Sequence, residues 1–80
     1  MADLFDTAKP VTNQQRVAEA LADGMSRDVK TLAEWTDLEA AQARAALNGL
    51  HSQNRVEKVG DGYWCLSRRG LSWLEEVRNG

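Results

Sequence analysis

The stretch "NRVEKVGDGYWCLSRRG", residues 54–70, decides how the rest of the chain is read. Val56-Glu57-Lys58-Val59 alternates apolar and charged residues, and a period of two belongs to a strand with one buried face. Gly60-Asp61-Gly62 follows at once and offers the positive-φ tolerance that a tight reversal demands. Tyr63-Trp64-Cys65-Leu66 is aromatic and apolar enough to pair back as a second strand. The pattern predicts a β-hairpin with Val56, Trp64 and Leu66 inward, and with Tyr63, Cys65 and Lys58 turned away.

Upstream of this hairpin everything reads as helix. Thr12 and Gln15 form a capping-box pair at the head of a first helix, whose inward residues are Val17, Ala18, Ala20 and Leu21 and whose end is Gly24. Asp28 is the next N-cap, opening a short helix with Leu32, Ala33 and Trp35 toward its buried side and a close near Thr36-Asp37. A short, extended link separates the two. A third helix, entered through Asp37 or nearby and running to about Ser52, carries Ala43, Ala46, Leu47 and Leu50 at i, i+3, i+4 and i+7. Asn54 stands where a helix ends in the left-handed conformation, so the chain passes straight from helix into strand. Beyond the hairpin a last helix begins at about Arg69, with Leu71, Leu74 and Val77 on one stripe and Trp73 beside it. The fold class is α+β, mainly α.

Length and composition agree with that economy. Eighty residues with 42% hydrophobic content suit one small domain, whose apolar residues are committed to its core. Residues 1–11 ("MADLFDTAKPV") hold no sustained period and contain the only proline, so they read as a flexible arm and residues 12–80 as the domain. One cysteine, Cys65, cannot form an internal disulfide, and neither a signal-like segment nor a membrane span is present, so a cytoplasmic setting and no membrane partner are expected.

Chemistry-bearing constellations are absent from the pattern. His51 and Cys65 are one of each and cannot make a metal set. Gly60-Asp61-Gly62 lacks the spacing and lysine of a phosphate loop, no serine stands in a nucleophile motif, and Glu75-Glu76 is a solvated helix face. No enzyme activity, metal or cofactor is expected. The charge distribution is more informative than the net value of −2. Residues 1–39 carry four cations against eight acids, a net −4, and residues 70–80 are net −1. Residues 40–69, with Arg44, Arg55, Lys58, Arg68 and Arg69 against Glu57 and Asp61, are net +3.

Helix, link, helix, turn, helix and hairpin, in that order, resembles the winged helix-turn-helix, a family of small bacterial or phage-type transcriptional regulators. The resemblance covers roughly residues 12–77. Its carriers are "TLAEWTDLEAAQARAALNGL", residues 31–50, for the two-helix turn and "NRVEKVGDGYWCLSRRG" for the wing. Asn54 and Arg55 depart from the family pattern, which has glycine and an apolar residue there. The resemblance implies a three-helix helix-turn-helix core, a two-stranded wing and a closing helix. It further implies sequence-specific binding of duplex DNA, with the third helix in the major groove and the wing on the backbone. Carried over by position, base contacts fall on Gln42, Arg44 and Asn48, with Ala45 offering a methyl to thymine, and phosphate contacts on Lys30, Arg55 and Lys58.

The face of the third helix opposite its core stripe consists of Ala41, Ala45, Asn48, Gly49 and Ser52, small and nearly neutral, and such a face suits another protein's helix as well as a groove. The alternative expectation is therefore a protein-protein module, docking through that face or through exposed tryptophans. Trp64 reads as core, whereas Trp35 and Trp73 flank their stripes. A homodimer through the closing helix, with Trp73, Leu71 and Val77 at the contact, is the corresponding expectation for self-association.

Overall fold

The computed structural model describes residues 12–79, so the expected arm at 1–11 lies outside the described residues. Thr12 opens the first helix, α1 (Asn13–Ala20), its hydroxyl accepting from the Gln15 N–H at 3.0 Å. Helix α1 ends four residues before Gly24, which takes φ +84° in the turn that follows. The link then forms a two-residue strand, β1 (Arg27–Asp28). Asp28 caps α2 (Val29–Thr36), accepting from Thr31 N–H at 2.9 Å. Hydrogen bonding from the Thr31 side chain, and then from that N–H, holds the Asp28 carboxyl below the usual range.

The entry to the third helix differs from the expectation. Asp37 does not begin it: at φ 60° Asp37 is the left-handed C-cap of α2, and its N–H bonds back to the Ala33 carbonyl. Helix α3 (Ala40–Ser52) starts at Glu39, whose N–H is accepted by the Gln42 side chain at 3.0 Å in a capping box. An acid three residues from an apolar run fits either role, and only the turn geometry separates them. At the other end Asn54 takes φ 61°, as its residue type implies, and the chain enters β2 (Val56–Val59) and β3 (Tyr63–Leu66) through a turn with Gly60 and Gly62 at positive φ.

Among the described residues three strands, not two, make the sheet. Its order is β1-β3-β2, all antiparallel, with Arg27 opposite Trp64 and Val56 opposite Leu66. Lys58 lies directly opposite Trp64. Facing residues of an antiparallel pair share a side, so Lys58 shares the Trp64 side and its ammonium stands 5.6 Å from the ring centre. The expectation that it points away from Trp64 fails on this register. Val56 and Trp64 are buried and Tyr63 is exposed, as the alternation requires.

The core gathers Val17, Leu21, Leu32, Leu47, Leu50, Val56 and Trp64 from every layer, with Leu66 and Trp73 packed at its margin. Helix α4 (Arg68–Asn79) covers it. Its inward stripe is Gly70, Trp73, Leu74 and Val77, while Leu71 is exposed, so the expected Leu71-Leu74-Val77 stripe is rotated by one residue. The cause is Gly70. A Cβ there would lie 1.9 Å from the Arg55 carbonyl oxygen, so only glycine lets the first turn of α4 press on the backbone at the base of the hairpin. Ser67 fixes that junction from both sides, donating to the Asn54 carbonyl at 2.7 Å and accepting from Gly70 N–H at 3.0 Å.

Candidate nucleic-acid interface

Helix α3 turns four residues inward, Ala43, Ala46, Leu47 and Leu50, and at 100° per residue its far side falls on Ala41, Ala45, Asn48 and Ser52, with Arg44 on one flank. All five are exposed. On one flank, α2 approaches, and Lys30 from its first turn lines a shallow hollow together with Arg44, Glu34 and Asp37. On the other flank, the start of α1 approaches, and Gln42 and Ala45 line a second hollow with Thr12, Asn13 and Gln14.

This arrangement brings together Lys30, Arg44, Ala45 and Asn48 of the residues singled out from sequence. Gln42 lies on the α1 flank, and its carbonyl oxygen is occupied by the Glu39 N–H. The small residues of α3 have an internal explanation as well. A Cβ on Gly49 would lie 2.4 Å from the Gln14 side-chain amide, so a larger residue there requires the Gln14 side chain to move aside.

The hairpin is less basic than the segment count implied. Lys58 is exposed along its length and caps Trp64, which His51 also meets edge-on, ring centres 5.6 Å apart. Glu57 and Asp61 share the hairpin with Lys58, leaving the tip without an excess of positive charge. Arg55 stands at the hairpin's base, not near its tip. Its guanidinium stacks over Trp73, 4.4 Å from the ring centre, and donates to the Gln53 side chain.

Arg68 and Arg69, given no role from sequence, join Arg55 around an open hollow at the base of the hairpin. Both occupy the first turn of α4, which has no acid. Cations at that end oppose the helix dipole, where a charge of the unfavourable sign costs typically about 0.3–1 kcal/mol. Among the described residues the ion pairs are Asp23 with Arg27 and Glu19 with Arg78, and none of these three arginines takes part in either. The basic pair in "LSRRG" was the available signal, but it required knowing that Gly70 docks on Arg55.

Trp73, expected at a self-contact, is half-buried against the core beneath Arg55, and Val77 is half-buried beside it. Leu71 is the exposed apolar residue of that helix at 41%. Trp35 is 60% exposed and not on the buried side of α2; Arg27 covers one face of its ring at 4.1 Å. Cys65 is partly buried, and burial, with Glu57 nearby, raises its thiol pKa, which makes it a poor nucleophile.

No protein-family model matches the chain, and no curated protein matches it. Solved structures do. The chain is similar to a MarR family transcriptional regulator, SPO1453 from Silicibacter pomeroyi DSS-3, with a TM-score of 0.74 and 18% identity over 84% of this chain and 50% of that one. It is also similar to ligand-free NadR, with a TM-score of 0.71 and 22% identity over 84% and 51% of the two chains. NadR in complex with 4-hydroxyphenylacetate gives a TM-score of 0.74 and 20% identity over 84% and 52%. The chain has the winged-helix fold. At these identities the likeness is one of fold, and the chain spans about half the length of each of these structures. In this fold the hairpin is the wing, α2 and α3 are the helix-turn-helix pair, and β1 adds the third strand at the sheet's other edge. No helix among the described residues is long and apolar enough to cross a membrane.

Proposed function

We propose that this chain is a duplex-DNA-binding module of a transcription regulator, acting in the cytoplasm without enzyme activity, with α3 as the element that enters the major groove. The observation that carries the reading is the exposed side of α3 that presents Arg44 and Asn48, Arg44 without an ion pair among the described residues, with Lys30 across a shallow hollow on the adjoining helix. Arginine pairs in two-pronged fashion with guanine and asparagine with adenine, while Ala41 and Ala45 keep the helix thin enough to approach base edges and thymine methyls. Lys30, in the first turn of α2, is positioned for a backbone phosphate. Lys58 on the wing supplies a second, and Gln42 supports the helix entry and does not read a base.

The test is a titration of mixed-sequence and selected duplexes against the protein at low and moderate salt. Phosphate neutralisation makes affinity fall steeply with ionic strength. Arg44→Ala is expected to cost about 1–3 kcal/mol on the preferred duplex and to leave the melting temperature unchanged. Equal affinity of wild type and Arg44→Ala for every duplex would refute the α3 reading.

A second reading has its own observation: Trp35 stands 60% exposed and Met25 61% exposed, a protein-docking feature that DNA binding does not use. Pairing of two copies through the outward side of α4 belongs to the proposal too. It rests on the exposed Leu71, since Trp73 is already packed within the chain.

A further inference from the structure

We infer that Arg55, Arg68 and Arg69 at the base of the wing form a phosphate grip that holds the DNA strand beyond the C-terminal end of α3, a role that the wing tip is poorly charged to perform. The inference rests on the DNA reading above and extends it to residues that reading does not use.

Charge comes first. The hollow at the wing base is lined by three arginines and one acid, Glu76, and among the described residues none of the three arginines is neutralised by an ion pair. Arg55 is also held in place, its guanidinium plane supported by the Trp73 ring at 4.4 Å. A stacked guanidinium keeps its outward N–H donors ordered and loses little freedom when an anion arrives. The wing itself, by contrast, sets Glu57 and Asp61 against Lys58.

Helix polarity points the same way. Arg68 and Arg69 sit in the first turn of α4, where the exposed backbone N–H groups already repel cations. They weaken the helix that carries them, and an anion bound between them relieves that repulsion.

Placement selects a nucleic-acid backbone as the anion. Ser52 both lines this hollow and ends the exposed face that runs through Arg44 and Asn48 at spacings of four residues. Arg44 and Ser52 are about 12 Å apart along the helix axis, and phosphates line both walls of a major groove about 12 Å wide. Cations stand at both ends of that face: Lys30 and Arg44 at one, the three arginines at the other.

The experiment measures the affinity of a fluorescent mixed-sequence duplex between about 50 and 200 mM salt for wild type, for Arg68→Gln with Arg69→Gln, and for Arg16→Gln as an exposed-arginine control on α1. Removing cations from the first turn of α4 does not weaken that helix, so the double variant is expected to melt at or above the wild-type temperature. Two lost phosphate contacts should lower the slope of log affinity against log salt by about 2 and the affinity by about tenfold or more. The Arg16 control should match wild type. A double variant that binds duplex with the wild-type slope overturns the grip and leaves the α3 reading standing. Wild type without salt-dependent duplex binding overturns both. Polyglutamate serves as a competing probe: if it binds wild type through Arg68 and Arg69 while the duplex does not, the hollow is a site for an acidic protein and the grip is wrong.

Discussion

Two arginine-tryptophan stacks, built from the same side chains at nearly the same distance, do different work. Arg27 lies 4.1 Å over Trp35 and Arg55 lies 4.4 Å over Trp73. The Arg27 guanidinium is fully engaged: it donates to both Asp23 carboxylate oxygens at 2.8 and 2.6 Å and to the Ala20 carbonyl at 3.0 Å. Its charge is cancelled and its tryptophan is left in solvent, so that stack is a clasp closing the α1–β1 turn. Arg55 has no carboxylate among its described partners, and its tryptophan is half-buried against the core. That stack leaves the Arg55 charge without a carboxylate partner among the described residues. A ring beside an arginine is therefore not informative until the third group is known; the acid, or its absence, separates a structural clasp from an available cation.

Gly70 is the sharpest way to break the second stack, because it lets α4 seat Trp73 beneath Arg55. Gly70→Ala places a methyl 1.9 Å from a backbone oxygen, which cannot rotate away, and is expected to cost about 3 kcal/mol in urea unfolding, the upper part of the range for overpacking. A loss under about 1 kcal/mol would mean that α4 shifts freely on the hairpin base and that the stack is not fixed.

Truncating the two rings separates them next. Trp73→Ala removes a half-buried aromatic at the core margin and should cost about 2–3 kcal/mol, somewhat below the value for a fully buried ring. Trp35→Ala should cost under about 1 kcal/mol, since only the stacking contact and a little packing are lost. Comparable losses at the two positions would erase the distinction between half-buried and exposed stack.

The smallest effect is in acid. Hydrogen bonding from Arg27, reinforced by the Met25 N–H, holds the Asp23 carboxyl far below the ordinary carboxylate value. A carboxyl whose folded pKa is depressed adds stability that is fully present above its unfolded pKa and is lost as pH falls through the folded one. Asp23→Asn should therefore match wild type most closely at the lowest pH and fall below it as pH rises past about 4, as read from melting temperatures across that range. No such pH-dependent gap is expected from Arg55→Gln, which lacks a carboxylate partner. A constant offset for Asp23→Asn at all pH values would show that the clasp is not ionic.

Much of this fold was legible because its signals are local. Thr12 and Asp28 act as caps, Asn54 takes the left-handed conformation, and Ala43, Ala46, Leu47 and Leu50 are the buried positions of α3, all within one or two turns of the residues that determine them. What escaped was non-local. Two residues cannot show a strand period, so β1 exists only through its pairing with β3. Leu71 fits an apolar stripe by spacing alone and is turned out because Gly70 must face Arg55.

The candidate site was half legible for the same reason. Lys30, Arg44 and Asn48 follow from helix geometry, and they do lie around one exposed face. Arg55 looked like a wing residue in sequence, but helix packing from the far end of the chain draws it onto Trp73. Arg68 and Arg69 carry no periodic signal and gain a shared location only from the Ser67 and Gly70 contacts.

The pairing of β1 with β3 also orders events in time. The β2–β3 hairpin closes across three turn residues, whereas Arg27 must find Trp64 across the whole of α2, α3 and β2, and closing a longer loop costs more chain entropy before any contact rewards it. The hairpin and α3 can assemble as neighbours first, with the short strand zipping on afterwards as the last latch and the first to spring open. An opening of that pairing would bare one edge of β3 and free the entry to α2, because the link between the first two helices and the wing share a strand.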